Sequence, residues 1–197
     1  MKKWIIPIIL ILLAAFWGMN VNNKAVELEE SAKKSWSNVE SSYQRRNDLI
    51  GNLVKTVQGA ADFEKGTLEA VIKARAEASK PEINISNTED LNAENLARFQ
   101  QAQSGLSSAL SRLLVTVERY PELKANQNFI ELQSQLEGTE NRINIARDRF
   151  NQAVEPYNNH VRTFPNKLIA GILGFDEMGY YKADAGSENA PDVEFNF

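Results

Sequence analysis

The stretch Gln44–Val54, which reads QRRNDLIGNLV, places a charged residue on a long apolar stripe and decides how we interpret the fold. On both sides of Arg46, the stripe residues recur at alternating steps of four and three positions. They are Ala32, Trp36, Val39, Tyr43, Ile50, Leu53, Val57 and Ala60. A helix that buries one face in a bundle has this period. The chain from Val21 to about Gly59 is therefore predicted to form one helix, with Arg46 on its buried face.

Three further segments with helical periodicity follow. They are expected at about 63–79, from Thr88 or Asp90 to about Tyr120, and from about Leu123 to Val161. Pro81 and Pro121 mark two of the boundaries, because the residue before a proline disfavours the helical conformation. We therefore predict an all-α fold, in which residues 22–163 form an antiparallel up-and-down bundle of about four helices, three long and one short.

The N-terminus is predicted to be a transmembrane signal anchor, residues 1–21. Residues 4–21 carry no charge and would reach roughly 27 Å as a helix, close to the thickness of a hydrocarbon core. Trp4 and Trp17 lie near the two ends of this run, where indole rings favour the membrane interface. A cleaved signal peptide is the alternative, but Ala14–Trp17 offers no clean small-x-small cleavage site.

Lysine placement predicts the orientation of the anchor. Lys2 and Lys3 precede the apolar run and favour a cytoplasmic N-terminus with the main domain outside. Lys24, Lys33 and Lys34 follow the run and act against this orientation.

Counting along the helices predicts a polar layer inside the bundle. Arg46 lies 20 residues above Val26, and Glu140 lies 21 residues before Val161, so both stand about 30 Å above the membrane-proximal end. Arg75 and Arg112 are expected at a similar height, with Asp48, Arg142 and Arg147 as satellites. Such a layer would fix the register of the helices, since only one alignment pairs the charges. A proton-linked or substrate-binding site is the functional alternative.

Residues 164–175 form a short apolar segment after the last long helix. Its large apolar side chains include Leu168, Ile169, Ile172, Leu173 and Phe175. The segment is too short to span a membrane, so it is expected either to close the base of the bundle, which we favour, or to rest in the membrane interface. Residues 176–197 are predicted to be a loosely ordered tail.

Composition excludes several kinds of chemistry. The formal net charge of -4, without a basic stripe, argues against nucleic-acid binding. With 0 Cys and the single histidine His160, no thiolate site or multi-histidine metal site can form within one chain. No Glu-x-x-His pair and no recognisable catalytic motif is present. We predict no cofactor, no metal and no enzymatic activity.

Several stretches of the chain resemble the LemA family of bacterial membrane-anchored helical proteins. They are RRNDLIGNLV at 45–54, TLEAVIKAR at 67–75, YPELKANQNF at 120–129 and EGTENRI at 137–143. Shorter matches continue along the chain as far as Phe164–Pro165. The family usually has proline where this chain has Gly51, so a kink there would be permitted by glycine instead of imposed by proline. The resemblance implies one N-terminal anchor, an antiparallel helical domain and no known enzymatic activity.

These features predict a non-enzymatic scaffold or interaction protein of the bacterial cell envelope. It is expected to be single-pass in the cytoplasmic (inner) membrane and to contact the lipid bilayer, further copies of itself as a homo-oligomer, and envelope protein partners. The alternative is an accessory factor for an envelope protease or a stress-response system, which is implied only by family-level association.

Overall fold

The computed structural model describes residues 5–59, 63–80 and 90–182, and this part of the chain contains six helices. They are α1 (Ile5–Gln58), α2 (Lys65–Ala78), α3 (Ala93–Val117), α4 (Pro121–Lys124), α5 (Gln127–Arg162) and α6 (Asn166–Leu173). The predicted all-α bundle is confirmed, and no strand occurs among the described residues. Trp4 and Thr88, which were predicted to lie at the membrane interface and at a helix cap, fall outside the described residues.

A single helix of 54 residues, α1, joins the apolar N-terminus to the bundle without a break. Residues 5–16 are all exposed, and they include nine large apolar side chains; the nearby Met19 is also exposed. Val21 and Ala25 are then buried by protein. Among the described residues, α1 is the one helix long and apolar enough to cross a membrane. Trp17 is half-buried near the end of this exposed segment.

The helices alternate in direction around α1. α5 runs antiparallel to α1 along its length, from Glu140 beside Arg46 down to His160 beside Val21. α2 descends beside the upper part of α1, and α3 rises again, which places Gln103 at the level of Arg46. This is the up-and-down order that the stripes predict. α3 begins at Ala93, because Asn92 supplies the cap by accepting a hydrogen bond from the Asn95 amide at 2.9 Å.

The hydrophobic core consists of two clusters stacked along the bundle axis. The membrane-proximal cluster contains Trp36 and Phe150, whose rings pack edge to face 5.1 Å apart, together with Tyr157. The membrane-distal cluster contains Ile50 and Leu113. The boundary between the clusters falls at Arg46, Gln103 and Thr139, which are polar but buried. The buried apolar surface therefore lies above and below a polar layer.

Residues 175–182 form an extended strap that climbs back along α5, and Gly174, with φ 80°, ends α6 and turns the chain into it. Two α5 asparagines hold the strap in the manner of a neighbouring strand. Asn158 donates to the Met178 carbonyl and accepts from the Met178 amide, both at 2.9 Å. Asn151 makes the equivalent pair with Tyr181, both at 2.8 Å. The side chains of Met178 and Tyr181 are buried.

The strap passes so close to the start of α3 that only glycine fits at position 179. A Cβ there would lie 2.8 Å from the Ala93 backbone and from Leu96, closer than real contacts allow. The Gly179 amide donates to the Leu91 carbonyl at 2.7 Å. The strap therefore differs from the loosely ordered tail that was predicted from Asp176 onward. It is ordered because the side-chain amides of Asn151 and Asn158 form hydrogen bonds with its backbone. Residues 183–197 lie outside the described residues.

Replacing Asn158 with alanine is expected to lower the free energy of unfolding by about 2 kcal/mol, because a buried amide and carbonyl of the strap lose their partners. For a chain of this size, that corresponds to a fall of about 4–8 °C in the thermal midpoint. Circular dichroism in mild detergent measures it. The control is Asn159→Ala, since Asn159 is exposed. Equal midpoints for the two variants would contradict the structural role of the strap.

Candidate functional site

Arg46 is the centre of the polar layer, and its side chain is 5% exposed. It reaches the buried face of α1 because it occupies a position of the apolar stripe. One terminal nitrogen, Nη1, donates to Glu140 Oε2 of α5 and to Ser107 Oγ of α3, both at 3.2 Å. The other, Nη2, donates to Gln103 Oε1 at 2.5 Å. The guanidinium also lies 4.8 Å from the centroid of the Tyr43 ring. One buried cation therefore joins three long helices.

Gln103 extends this network to a fourth helix. Its Nε2 donates at 3.2 Å to the carbonyl of Ala78, the last residue of α2. That carbonyl belongs to the helix terminus, which has no partner within its own helix. Arg46 Nε remains buried and finds no acceptor among the described residues. The hydrogen bonds that Arg46 and Gln103 do form connect four helices, and this network favours the one register in which all of them are made.

A second arginine, Arg75, contacts α1 at a neighbouring level. Its Nε donates at 2.8 Å to the backbone carbonyl of Asn47, and the Asn47 side chain donates at 3.3 Å to Ser79 Oγ. A Cβ at Gly51 would stand 3.0 Å from the Arg75 guanidinium. Glycine at 51 therefore gives Arg75 room to lie against α1.

The structure does not bring every predicted residue into the layer. Arg112 is exposed on α3, five residues beyond Ser107, because Gln103 occupies the buried position of α3 at the height of Arg46. The prediction that Arg112 joins the layer is wrong. Arg147 instead stacks on the Tyr181 ring, 4.0 Å from its centroid, and donates to the strap.

Asp48 and Arg142 lie away from the layer. They line an open groove of about 740 Å³ between α1 and α5, to which α3 contributes no residue. The two predicted satellites therefore face away from Arg46.

Two clefts of about 300 Å³ and 270 Å³ open on either side of the Arg46–Glu140 pair. Serines of α3 line the second cleft, and Ser107 Oγ donates to the Gln103 carbonyl while accepting from Arg46. Glu140 Oε2 pairs with Arg46 Nη1 at 3.2 Å. The described residues contain no group of three or more metal-ligating side chains. The hydrogen bonds of the layer join the helices to one another.

Burial raises the pKa of the Tyr43 phenol, and its hydrogen bond with Tyr181 and the charge of Arg46 offset part of that increase. The two hydroxyl oxygens are 2.5 Å apart. Burial likewise raises the pKa of Tyr157, whose hydroxyl donates to the Asp176 carbonyl at 2.9 Å. Both phenols therefore stay neutral through the physiological range and keep the strap attached to the bundle.

At the membrane-proximal end, α6 packs against both α1 and α5. Of the five apolar residues predicted to close the base or to rest in the interface, Ile169 and Phe175 are half-buried. Leu168, Ile172 and Leu173 remain exposed. His160 Nε2 lies 2.9 Å from the Val21 carbonyl, and its Nδ1 lies 3.3 Å from Asn166 Nδ2 at the start of α6. His160 therefore links three helices at this end, a role that its position in the sequence did not indicate.

Comparison with known proteins places this geometry in a family. The model of the LemA family matches residues 35–195, which include the polar layer and α6. Magnetosome protein MamQ of Magnetospirillum gryphiswaldense is 29% identical over 173 residues. Magnetosome protein MamQ 1 of Paramagnetospirillum magneticum is 28% identical over 174 residues. In each case 81% of this chain is covered.

A more distant relative is Protein LemA of Metamycoplasma hominis, which is 19% identical over 161 residues. That match covers 82% of this chain and 68% of the relative. The matches to the MamQ proteins span 64% of their length, so those relatives contain sequence that this chain does not match.

Replacing Arg46 with alanine is expected to lower the free energy of unfolding by about 1–3 kcal/mol, because Gln103 and Ser107 lose a buried partner. The neighbouring Arg45→Ala is the matched control, and we expect a change within about 0.5 kcal/mol because Arg45 is exposed. Chemical denaturation in mild detergent, followed by circular dichroism, measures both. Equal and small losses for the two variants would contradict a structural role for the layer.

Proposed function

Because the chain belongs to the LemA family, we propose that it is a non-enzymatic, membrane-anchored scaffold that self-assembles and holds envelope proteins at the bilayer. The observation that carries this proposal is the unbroken helix α1. Its residues 5–16 expose a mostly apolar surface, and from Val21 onward one of its faces is buried against the bundle. A bundle on such a helix is displayed at a set height above the membrane. In the proposed role, the architecture holds the bundle and its partners at a fixed distance from the membrane.

The interior of the bundle supports a structural role. In the polar layer, the Arg46 guanidinium donates hydrogen bonds to Glu140, Gln103 and Ser107. In an active site we would expect a nucleophile and a base that are free to act on a substrate. Within the described residues, the polar groups of this layer instead fasten helices together.

The MamQ proteins are named after the magnetosome and not after a reaction. The proposed structural role of this chain rests on its own anchor and bundle. Because about a third of each MamQ protein has no match in this chain, the activity and partners of the whole MamQ proteins are not transferred to it.

The proposed location is the bacterial cytoplasmic membrane, with the N-terminus inside and the bundle outside. Lys2 and Lys3 support this orientation through the preference of basic residues for the cytoplasmic side. The cysteine-free chain allows a direct check, in which a membrane-impermeant maleimide is applied to intact cells carrying Val115→Cys. Val115 is 72% exposed, so protection of this thiol in intact cells would contradict the orientation.

The mass of the full-length chain in mild detergent tests self-assembly, measured beside a chain that lacks residues 1–20. We expect the full-length protein to form one defined multiple of 22.1 kDa and the truncated chain to be monomeric, because the exposed apolar segment is removed with those residues. Light scattering after size-exclusion chromatography gives the masses. Circular dichroism of the truncated chain controls for loss of the fold.

Two monomers would contradict self-assembly. In that case, substoichiometric co-purification of the full-length chain with an envelope protease would favour the accessory role over the scaffold. Cross-linking in the native membrane followed by purification would detect such a partner. A defined oligomer without bound protease would instead favour the scaffold.

A further inference from the structure

The short helix α6 lies at the height where the lipid-like surface of α1 ends. The Cδ1 atom of Ile169 is 4.0 Å from the position that a Cβ on Gly18 would occupy. One turn further along α1, the Val21 carbonyl is bound by His160 at the end of α5. α6 is therefore attached to α1 at Gly18–Val21, between the exposed apolar residues and the first buried ones.

The outward surface of α6 carries the exposed Leu168 and Ile172, and the exposed Phe164 lies in the turn just before the helix; these three residues are called the apolar stripe. These residues recur every four positions, and they are 81%, 59% and 81% exposed. Leu168 and Ile172 lie within α6, so their spacing of four positions places them on one face of the helix. The opposite face meets the protein through Ile169 and the buried Ala170. α6 is thus apolar on both faces, and only one of them packs against protein among the described residues.

The dimensions of the anchor place this stripe at the edge of a bilayer. The exposed apolar part of α1 runs from Ile5 to Met19, which is about 22 Å of helix. A hydrocarbon core is about 30 Å thick. If the anchor spans it, the boundary between acyl chains and headgroups falls at or beyond Met19, which is the level of α6.

We propose that α6 and the turn before it form an interfacial foot, in which Phe164, Leu168 and Ile172 enter the boundary between headgroups and acyl chains. The proposal rests on the anchoring proposed above and adds a second membrane contact on a different helix. Lys167 is exposed beside the stripe and can extend toward lipid phosphates, as basic side chains do at interfaces.

The bilayer is the occupant that the geometry favours over a second protein. The stripe continues the apolar surface of α1 sideways at the same height, and the surroundings of a membrane-spanning helix at that height are lipid. A foot of this kind would also compensate for the short apolar length of the anchor, since mismatch is relieved when flanking residues take up the interface.

The attachment of α6 is firm enough to transmit this contact to the bundle. His160 holds Asn166 at its first residue, Gly174 ends it in the left-handed conformation, and the strap returns from there onto α5. With α1 and α6 both in the membrane, the bundle would be unable to rotate freely about the axis of α1. The foot therefore sets which face of the bundle points along the membrane surface.

Spin labels on the cysteine-free full-length chain test the proposal in nanodiscs of phosphatidylcholine and phosphatidylglycerol. Three single variants are compared: Ile172→Cys in the foot, Leu10→Cys in the anchor, and Val115→Cys as the water-exposed control. All three positions are exposed, so labelling leaves the fold intact. Power saturation then measures the accessibility of each label to oxygen, which concentrates in lipid, and to a water-soluble nickel chelate.

We expect a ratio of oxygen to nickel accessibility that is high at Leu10, intermediate at Ile172 and low at Val115. A ratio at Ile172 equal to that at Val115, with Leu10 in lipid, would overturn the foot and leave the anchor intact. A label at Leu10 in water would overturn the anchor and the foot together. A label at Ile172 shielded from both reagents would show a protein contact in place of lipid, and this would also overturn the proposal.

Discussion

The continuity of α1 is the constraint on which the rest of the structure depends. Within a bilayer, every backbone amide and carbonyl must find its partner inside the chain, and a helix meets this requirement without outside help. Extending the same helix for 54 residues, about 80 Å, carries that order out of the membrane and into the bundle. α5 then packs along the protein-facing part of α1, and α6 returns to the point where the two parts meet.

The polar layer solves a problem that the long helices create. Two smooth apolar stripes can slide past one another by a turn with little loss of buried area, so burial alone specifies register weakly. Arg46 removes this freedom, because only one alignment brings Glu140, Gln103 and Ser107 within reach of its guanidinium. The core is therefore divided into two apolar clusters, and buried polar pairs of this kind contribute more to the choice of register than to net stability.

Periodicity and helix rise were sufficient to predict the bundle, and counting along the helices placed Arg46 and Glu140 at one height before the structure joined them at 3.2 Å. Height does not determine the direction of a side chain, so the same counting wrongly included Arg112, which points to solvent. The strap was missed for a different reason. Its order comes from Asn151 and Asn158, which bind it across 30 and 20 residues of sequence, and from Gly179, which packs against the distant start of α3. None of these contacts leaves a local period.

The distance between two spin labels on either side of the membrane boundary would test the continuity of α1 most directly. Leu12→Cys and Ser37→Cys are both exposed, and the chain has no other cysteine. In nanodiscs diluted with unlabelled chain, an unbroken helix predicts one narrow distribution of label-to-label distances, centred at about 38 Å, which corresponds to 25 residues of helical rise. A broad distribution, or several maxima, would show a hinge between the anchor and the bundle and would contradict this account.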